Sequence, residues 1–230
     1  MQIQPPAPSH LESPSMKMFI AAVAIAVSLA VAAPAISYRN ADISRSIVAL
    51  KDSEDNIICT GVVINRLKRY VLTADHCMSH GDVLIDGQIS SEIAHLPELD
   101  YAIIEAPGID RPALEFQFDT KVAAEQAVEA IGYAEGFEEL TYIKLTLIFG
   151  PIIVVDYAGE WLLMGPYVIP GMSGGPVVTP KGLVVAINQQ STKEFGLSIT
   201  RPITMLKGTI LEEYFEGRPA YEPNQVSDLD

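Results

Sequence analysis

Short apolar segments alternate with polar turns along most of this chain. Ile57–Ile64 and Tyr101–Glu105 are examples, and each is followed by residues that favour a turn. Turns that recur roughly every 8–12 residues are typical of β-sandwiches and β-barrels. The pattern therefore predicts an all-β fold from about residue 44 onwards.

A stretch rich in strand-breaking residues divides this pattern into two halves. It begins at Ala106-Pro107-Gly108 and runs to Phe118, and Pro and Gly at such a place are typical of a connection. We therefore predict two β-barrels, over about 44–106 and about 119–200. No sequence repeat of fixed period relates the two halves.

The spacing of apolar residues changes at the C-terminal end. Four residues there would share one face of an α-helix: Ile203, Leu206, Ile210 and Tyr214. Thr200 can act as the N-cap and Gly217 marks the stop, so we predict a C-terminal helix over 201–216. The polar and acidic residues 218–230 are predicted to be a disordered tail.

One apolar run near the N-terminus is longer than any later segment. Phe19–Ala35 is almost entirely apolar, follows Lys17 and ends in small residues, which predicts a secretory signal peptide over 16–35. With about 17–19 residues it also approaches the length that spans a bilayer. A membrane anchor over 16–36 and a buried core helix therefore remain alternatives, and residues 1–15 are predicted to be a disordered extension.

The overall charge excludes one class of partner. The formal net charge of the chain is −14, whereas proteins that bind nucleic acid present a basic face. We therefore expect no nucleic-acid partner and interpret the acidic surface as solvated.

The candidate chemistry is concentrated at a serine between glycines. Ser173 lies in the stretch Gly-Met-Ser-Gly-Gly-Pro over 171–176, and its hydroxyl becomes a nucleophile only when a base accepts its proton. The stretch also fits the G-x-S-x-G elbow of α/β-hydrolases, in which the histidine follows the serine. All four histidines precede Ser173, which excludes that fold and leaves an ordinary glycine-rich hairpin as the alternative to a catalytic loop.

One histidine and one aspartate precede the serine in a suitable order. His76 follows an apolar strand and is the candidate general base. Asp100 stands at the head of the apolar segment Tyr101–Ile104, where an unpaired carboxylate would be costly, and it is the candidate that orients His76. Asp75, directly before His76, is the rival for that role.

The sequence does not favour a metal site. His80 follows His76 by the four-residue spacing of a zinc-binding helix, but the motif H-E-x-x-H requires glutamate where this chain has Cys77. Cys59 and Cys77 do not have the C-x-x-C spacing either. We therefore expect neither a metal nor another cofactor.

These segments resemble motifs of the chymotrypsin-like, or trypsin-fold, serine protease family. The family motifs T-A-A-H-C, D-x-A-L/I-L/I and G-D-S-G-G-P are similar to residues 73–77, 100–104 and 171–176. Residues 59–64 are similar to the family strand Cys-Gly-Gly-Ser-Leu-Ile. The resemblance runs from about Ile47 to Phe215 and is closer to bacterial, viral and Deg-type members than to digestive zymogens.

The resemblance implies two packed antiparallel β-barrels in a protease domain over 37–217. It also implies serine endopeptidase activity on a protein or peptide substrate, without a cofactor. Its catalytic residues would be His76, Asp100 and Ser173. The backbone N–H groups of Gly171 and Ser173 would form the oxyanion hole.

The resemblance also implies a disulfide between Cys59 and Cys77 beside the candidate histidine. A single cysteine pair in an exported domain is typical of a disulfide, and two buried thiols in a reducing compartment are the alternative. We expect a secreted or periplasmic protein, or one that the N-terminal segment anchors to a membrane.

Family alignment places Tyr167, Asn188 and Gln189 at the primary specificity pocket. None of them is acidic, so we expect a small or apolar substrate side chain rather than Lys or Arg. Met172 stands where digestive relatives have aspartate, which predicts that no N-terminal cut is needed for activation.

Two departures from the family pattern keep an alternative function open. Asp75 stands where the family more often has alanine, and Met172 replaces its aspartate. A catalytically silent homologue that serves as a binding module is therefore the rival hypothesis. A small membrane-anchored structural protein would explain the N-terminus but not the order of the three candidate catalytic residues.

Overall fold

The computed structural model describes residues 43–116, 118–119, 122–123, 125–153, 160–192 and 196–216. The predicted N-terminal extension, the signal peptide or anchor, and the acidic tail lie outside these residues. In the part of the chain that is described, no helix combines the length and the hydropathy needed to cross a bilayer.

The first half of the described chain forms a seven-stranded antiparallel sheet in the order β5-β4-β1-β2-β3-β7-β6. Its strands are β1 Ile47–Lys51, β2 Ile57–Asn65, β3 Tyr70–Thr73, β4 Leu84–Ile85, β5 Gln88–Ile89, β6 Ser91–Leu96 and β7 Tyr101–Glu105. Two short 3₁₀ helices, Asp75–His80 and Pro97–Leu99, follow β3 and precede β7. Both helices therefore lie at the end of the sheet where β3 stops and β7 starts.

The second half closes into a six-stranded antiparallel barrel in the order β10-β13-β12-β11-β8-β9. Its strands are β8 Ala127–Tyr133, β9 Leu140–Ile153, β10 Glu160–Gly165, β11 Pro176–Val178, β12 Val184–Thr192 and β13 Leu197–Pro202. Closure leaves a barrel without unpaired strand edges. The all-β, chymotrypsin-type architecture predicted from the sequence is confirmed, although in the described residues the first predicted barrel is an open seven-stranded sheet and only the second closes.

The central strands of the first sheet are buried on both faces. Leu72 and Ile103 belong to a cluster that also contains Ile131 and Ile187 of the barrel. Their neighbours along the strands, such as Val71, pack in a separate cluster on the other face of the sheet. Because successive side chains of a strand point to opposite faces, these strands join the two halves and also form the core of the first.

The C-terminal helical segment is shorter than the predicted helix over 201–216. Strand β13 continues to Pro202, and two 3₁₀ helices follow, Ile203–Leu206 and Glu212–Tyr214. Thr200 pairs with Asn188 of β12 instead of capping a helix. Gly208, with φ of +72°, breaks the segment, although Ile203 and Leu206 are still buried as their spacing suggested.

A disulfide joins Cys59 of β2 to Cys77 of the 3₁₀ helix that follows β3, as the family resemblance implied. Both residues are buried in the core of the first sheet. The bridge therefore ties the segment that carries His76 to a central strand.

Reduction of this disulfide is expected to destabilise the protein. The bridge spans 18 residues, and closing a loop of that length contributes about 3 kcal/mol to the free energy of unfolding. Urea unfolding of the full chain with and without reductant should show that loss. A double variant, Cys59→Ser with Cys77→Ser, is the control and should not respond to reductant. An equal free energy of unfolding for the oxidised and the verified reduced wild type would contradict the expectation.

Candidate active site

His76 and Asp100 meet at the end of the first sheet. His76 Nδ1 lies 2.9 Å from Asp100 Oδ2 and 3.1 Å from Oδ1. The backbone N–H of His76 also donates to Asp100 Oδ1, over 2.9 Å. The carboxylate therefore fixes both the ring and the backbone of the histidine.

The pairing of β3 with β7 explains why these two residues meet. Thr73 lies opposite Ala102 in this antiparallel pair, so the register, continued by two residues, places Asp100 beside the start of the 3₁₀ helix that carries His76. Asp100 adopts a left-handed conformation, with φ of 56° and ψ of 47°, and its N–H donates to Pro97 O. Aspartate tolerates that conformation better than most residues.

Asp75, the rival carboxylate, has a different partner. Its Oδ1 lies 3.2 Å from Nδ1 of His95 on β6, and Glu92 approaches the same nitrogen to 3.5 Å. The ring of His76 is therefore paired with Asp100, and Asp75 is engaged on the neighbouring strand. Sequence reasoning did not identify His95, because its proximity to Asp75 arises only when β6 pairs with β7.

Among the described residues, two groups of potential ligands have the spacing of a metal site. Asp75, Glu92 and His95 each place a ligand atom within 4.8 Å of the others, and they already form the ion pairs just described. The other group contains His76 and the two cysteines. Those cysteines are joined in the disulfide, so they offer no thiolate to a metal.

Ser173 lies in a loop that is bonded to both halves of the fold. Its carbonyl accepts from the N–H of Thr60 on β2, over 2.8 Å, and the N–H of Gly174 donates to Asn188 O on β12, over 2.7 Å. The hydroxyl of Ser173 donates to the carbonyl of Gln189, over 3.0 Å. Between the described residues Ser173 and His76 no hydrogen bond is formed, and such bonds commonly tighten only when substrate binds.

Gly171 occupies a turn that admits only glycine. Its φ is +88°, and a Cβ there would lie 2.6 Å from Glu135 N and 2.8 Å from Tyr133 O. Within the described residues the N–H groups of Gly171 and Ser173 have no acceptor, whereas the N–H of Met172 between them donates to Ile169 O. An oxyanion hole requires backbone donors that have no acceptor within the protein.

Thr60 holds this turn, and sequence reasoning missed it. Thr60 Oγ1 donates to Gly171 O over 2.8 Å and accepts from Tyr133 N over 2.8 Å. The sequence feature that could have indicated this role is the replacement of a family glycine by Thr60 in the similar strand over residues 59–64.

The three candidate pocket residues differ in exposure. Tyr167 is 38% exposed, whereas Asn188 and Gln189 are 0% and 1% exposed. The side-chain amide of Asn188 has no hydrogen-bond partner within the described residues. The amide of Gln189 points to the turn before β7, where Nε2 donates to Leu99 O and Asp100 O.

Arg201 is a buried cation next to the Gln189 amide, and sequence reasoning did not identify it either. Arg201 is 1% exposed, and its guanidinium lies 3.6 Å above the ring centroid of Trp161. Burial lowers the pKa of Arg201, while the negative charge of Asp100 acts in the opposite direction. The sequence gives little sign of this, because an arginine in a predicted helix would be expected at the surface.

Met172 is fully buried in the core of the barrel. It packs in the same cluster as Ala134 and Val168. A buried thioether cannot form an ion pair with a newly cut N-terminus, whereas a carboxylate at this position could.

The model of the trypsin-like peptidase domain family matches residues 59–187. The matched segment covers more than half of the chain and contains His76, Asp100 and Ser173.

A sequence relative agrees with this match. A probable periplasmic serine endoprotease, DegP-like, from Pseudomonas putida strain F1 is 28% identical over 144 residues, which cover 58% of this chain and 30% of the relative. The chain thus spans less than a third of that relative's length.

Solved structures with this fold include the following two. The HtrA-type protease AlgW with a tripeptide has a TM-score of 0.65 at 17% identity, over 80% of this chain and 64% of its own. An inactive form of Rv3671c from M. tuberculosis H37Rv has a TM-score of 0.58 at 20% identity, over 70% of this chain and 83% of its own.

Proposed function

This chain belongs to the family of trypsin-like peptidase domains, and from that premise we propose that it is a serine endopeptidase. The observation that carries the proposal is the bond between His76 Nδ1 and Asp100 Oδ2, at 2.9 Å, beside a serine loop that is docked on the same sheet. His76 is the general base, Asp100 orients it, and Ser173 is the nucleophile.

The proposed reaction begins at the unpaired nitrogen of His76. Because Asp100 accepts from Nδ1–H, the lone pair is on Nε2, and it takes the proton of Ser173 as Oγ attacks the peptide carbonyl. His76 then gives that proton to the leaving amine, and the acyl-enzyme forms on Ser173. Water, deprotonated by His76, releases the acid and restores the serine.

The N–H groups of Gly171 and Ser173 stabilise the charge on the substrate oxygen in this proposal. They are fixed by the turn that Thr60 holds, so they need no rearrangement when the charge develops. Ser173 Oγ must leave Gln189 O for this step.

Substrates are proposed to be proteins or peptides cleaved after a small or apolar residue. Tyr167 is the exposed member of the candidate pocket, and the three pocket residues bring no carboxylate that would hold Lys or Arg. The apolar surroundings of Met172 support activity without an N-terminal cut. Relatives named as periplasmic support export to the periplasm or beyond the cell.

The binding-module alternative rests on a specific observation. The hydroxyl of Ser173 is bonded to Gln189 O instead of His76, so the bond that would activate the nucleophile is not formed in this structure.

Labelling of the full chain with a fluorophosphonate separates the two functions. The reagent reacts with an activated serine whatever the substrate preference, because it needs only the nucleophile and its base. We expect the wild type to be labelled and the Ser173→Ala variant to remain unlabelled. Absence of labelling in folded, disulfide-bonded wild type would favour the binding module.

Asparagine substitutions of the two neighbouring carboxylates test the assignment of the orienting acid. Asp100→Asn is expected to lower the labelling rate by about 10⁴-fold, because the amide no longer holds the required tautomer of His76. Asp75→Asn is the matched control and should lower the rate by less than about tenfold, since its partner is His95. A larger effect at Asp75 than at Asp100 would contradict the assignment.

A further inference from the structure

Gln189 is hydrogen-bonded to two of the three proposed catalytic residues, Ser173 and Asp100. Its backbone carbonyl accepts from Ser173 Oγ over 3.0 Å, and its side-chain Nε2 donates to Asp100 O over 2.7 Å. We propose that Gln189 is a positioning residue, which sets Asp100 against His76 through its side chain while its carbonyl holds Ser173 before substrate binds. This inference rests on the proposed serine endopeptidase function.

A β-bulge explains how one residue makes both contacts. The pairing of β12 with β13 shifts register between Asn188 and Gln190, so that Gln189 is the extra residue. Side chains of neighbouring strand residues normally point to opposite faces, yet Asn188 and Gln189 are both buried. A bulge frees a backbone group from the ladder and re-aims a side chain, and here it turns the carbonyl to Ser173 and the amide to Asp100.

The surroundings of the amide allow only one orientation. Nε2 faces the carbonyls of Leu99 and Asp100, at 3.1 and 2.7 Å, and carbonyls only accept. Oε1 faces Nε of Arg201 at 3.5 Å, and a guanidinium only donates. A flipped amide would place oxygen against oxygen, so Arg201 and the two carbonyls together fix the direction of Gln189.

The backbone of Arg201 is tied back to the same turn. The hydroxyl of Tyr101, the residue after Asp100, contacts Arg201 O at 3.1 Å and Pro202 O at 3.2 Å. Asp100, Tyr101, Arg201 and Gln189 therefore form a closed circuit of covalent and hydrogen bonds. A displacement of the Gln189 amide would therefore shift the backbone of Asp100. The Asp100 carboxylate must stay within hydrogen-bond distance of His76 Nδ1.

Two substitutions of Gln189 change the hydrogen bonds of its side chain while keeping the side-chain volume. Gln189→Glu keeps the shape and the contact with Arg201, but places a carboxylate oxygen against the two carbonyls. Gln189→Met keeps the volume and removes the hydrogen bonds without adding a charge, so it serves if the glutamate variant does not fold. Gln88→Glu, the same chemical change on the exposed strand β5, is the matched control.

The probe is a fluorophosphonate at increasing concentration on the full chain. In both Gln189 variants we expect the maximal labelling rate to fall about 10²-fold, the size of effect that a misplacement of about 1 Å produces. The half-saturating concentration should stay within roughly twofold, because the Gln189 side chain is 1% exposed and its amide is bonded to Leu99 O and Asp100 O. Gln88→Glu should label like the wild type.

The low-field proton resonance of His76 Nδ1–H gives a second readout that does not depend on turnover. We expect this resonance in the wild type and in Gln88→Glu, and its loss or shift in both Gln189 variants. A labelling rate within about threefold of wild type, or a slower rate with the resonance unchanged, would overturn the inference. In the second case any effect of Gln189 would not pass through Asp100.

The two readouts also separate this inference from the function on which it rests. If the wild type is not labelled but its resonance is present and is lost in Gln189→Met, the proposed endopeptidase function fails and the positioning role is retained. If the wild type is labelled and neither readout changes in the variants, the function stands and the positioning role fails.

Discussion

The docking of the serine loop on strand β2 is the contact on which the site depends. Thr60 donates its N–H to Ser173 O, and its hydroxyl joins Gly171 O to Tyr133 N. There is no room for a side chain at Gly174, because a Cβ would collide with Thr60 O and with the hydroxyl of Thr73. The glycines of this loop are thus required by close approach to the first sheet as well as by backbone conformation.

This docking brings together groups that neither half of the fold contains alone. His76 and Asp100 come from the first sheet, whereas Ser173 and Gln189 come from the barrel. Their relative placement is set by the apolar cluster that the two halves share, and by the disulfide that ties the His76 segment to β2. Burial between the halves is therefore a condition for the proposed catalysis as well as for stability.

The parts of the site that were predicted from the sequence are those encoded in contiguous residues. His76 follows an apolar strand, Asp100 directly precedes one and Ser173 lies between glycines, so pattern and spacing located them. The role of Gln189 depends on a shift of strand pairing, and the partner of Asp75 depends on β6 lying beside β7. The predicted C-terminal helix failed for a similar reason, because strand pairing of Thr200 outweighed its helix-capping preference.

The crystal structure of the fluorophosphonate adduct would test this account most directly. The account predicts phosphorus bonded to Ser173 Oγ, with that oxygen detached from Gln189 O. It also predicts that the phosphonyl oxygen lies about 2.7–3.1 Å from the backbone nitrogens of both Gly171 and Ser173. An adduct on another residue, or a phosphonyl oxygen that contacts neither nitrogen, would contradict it.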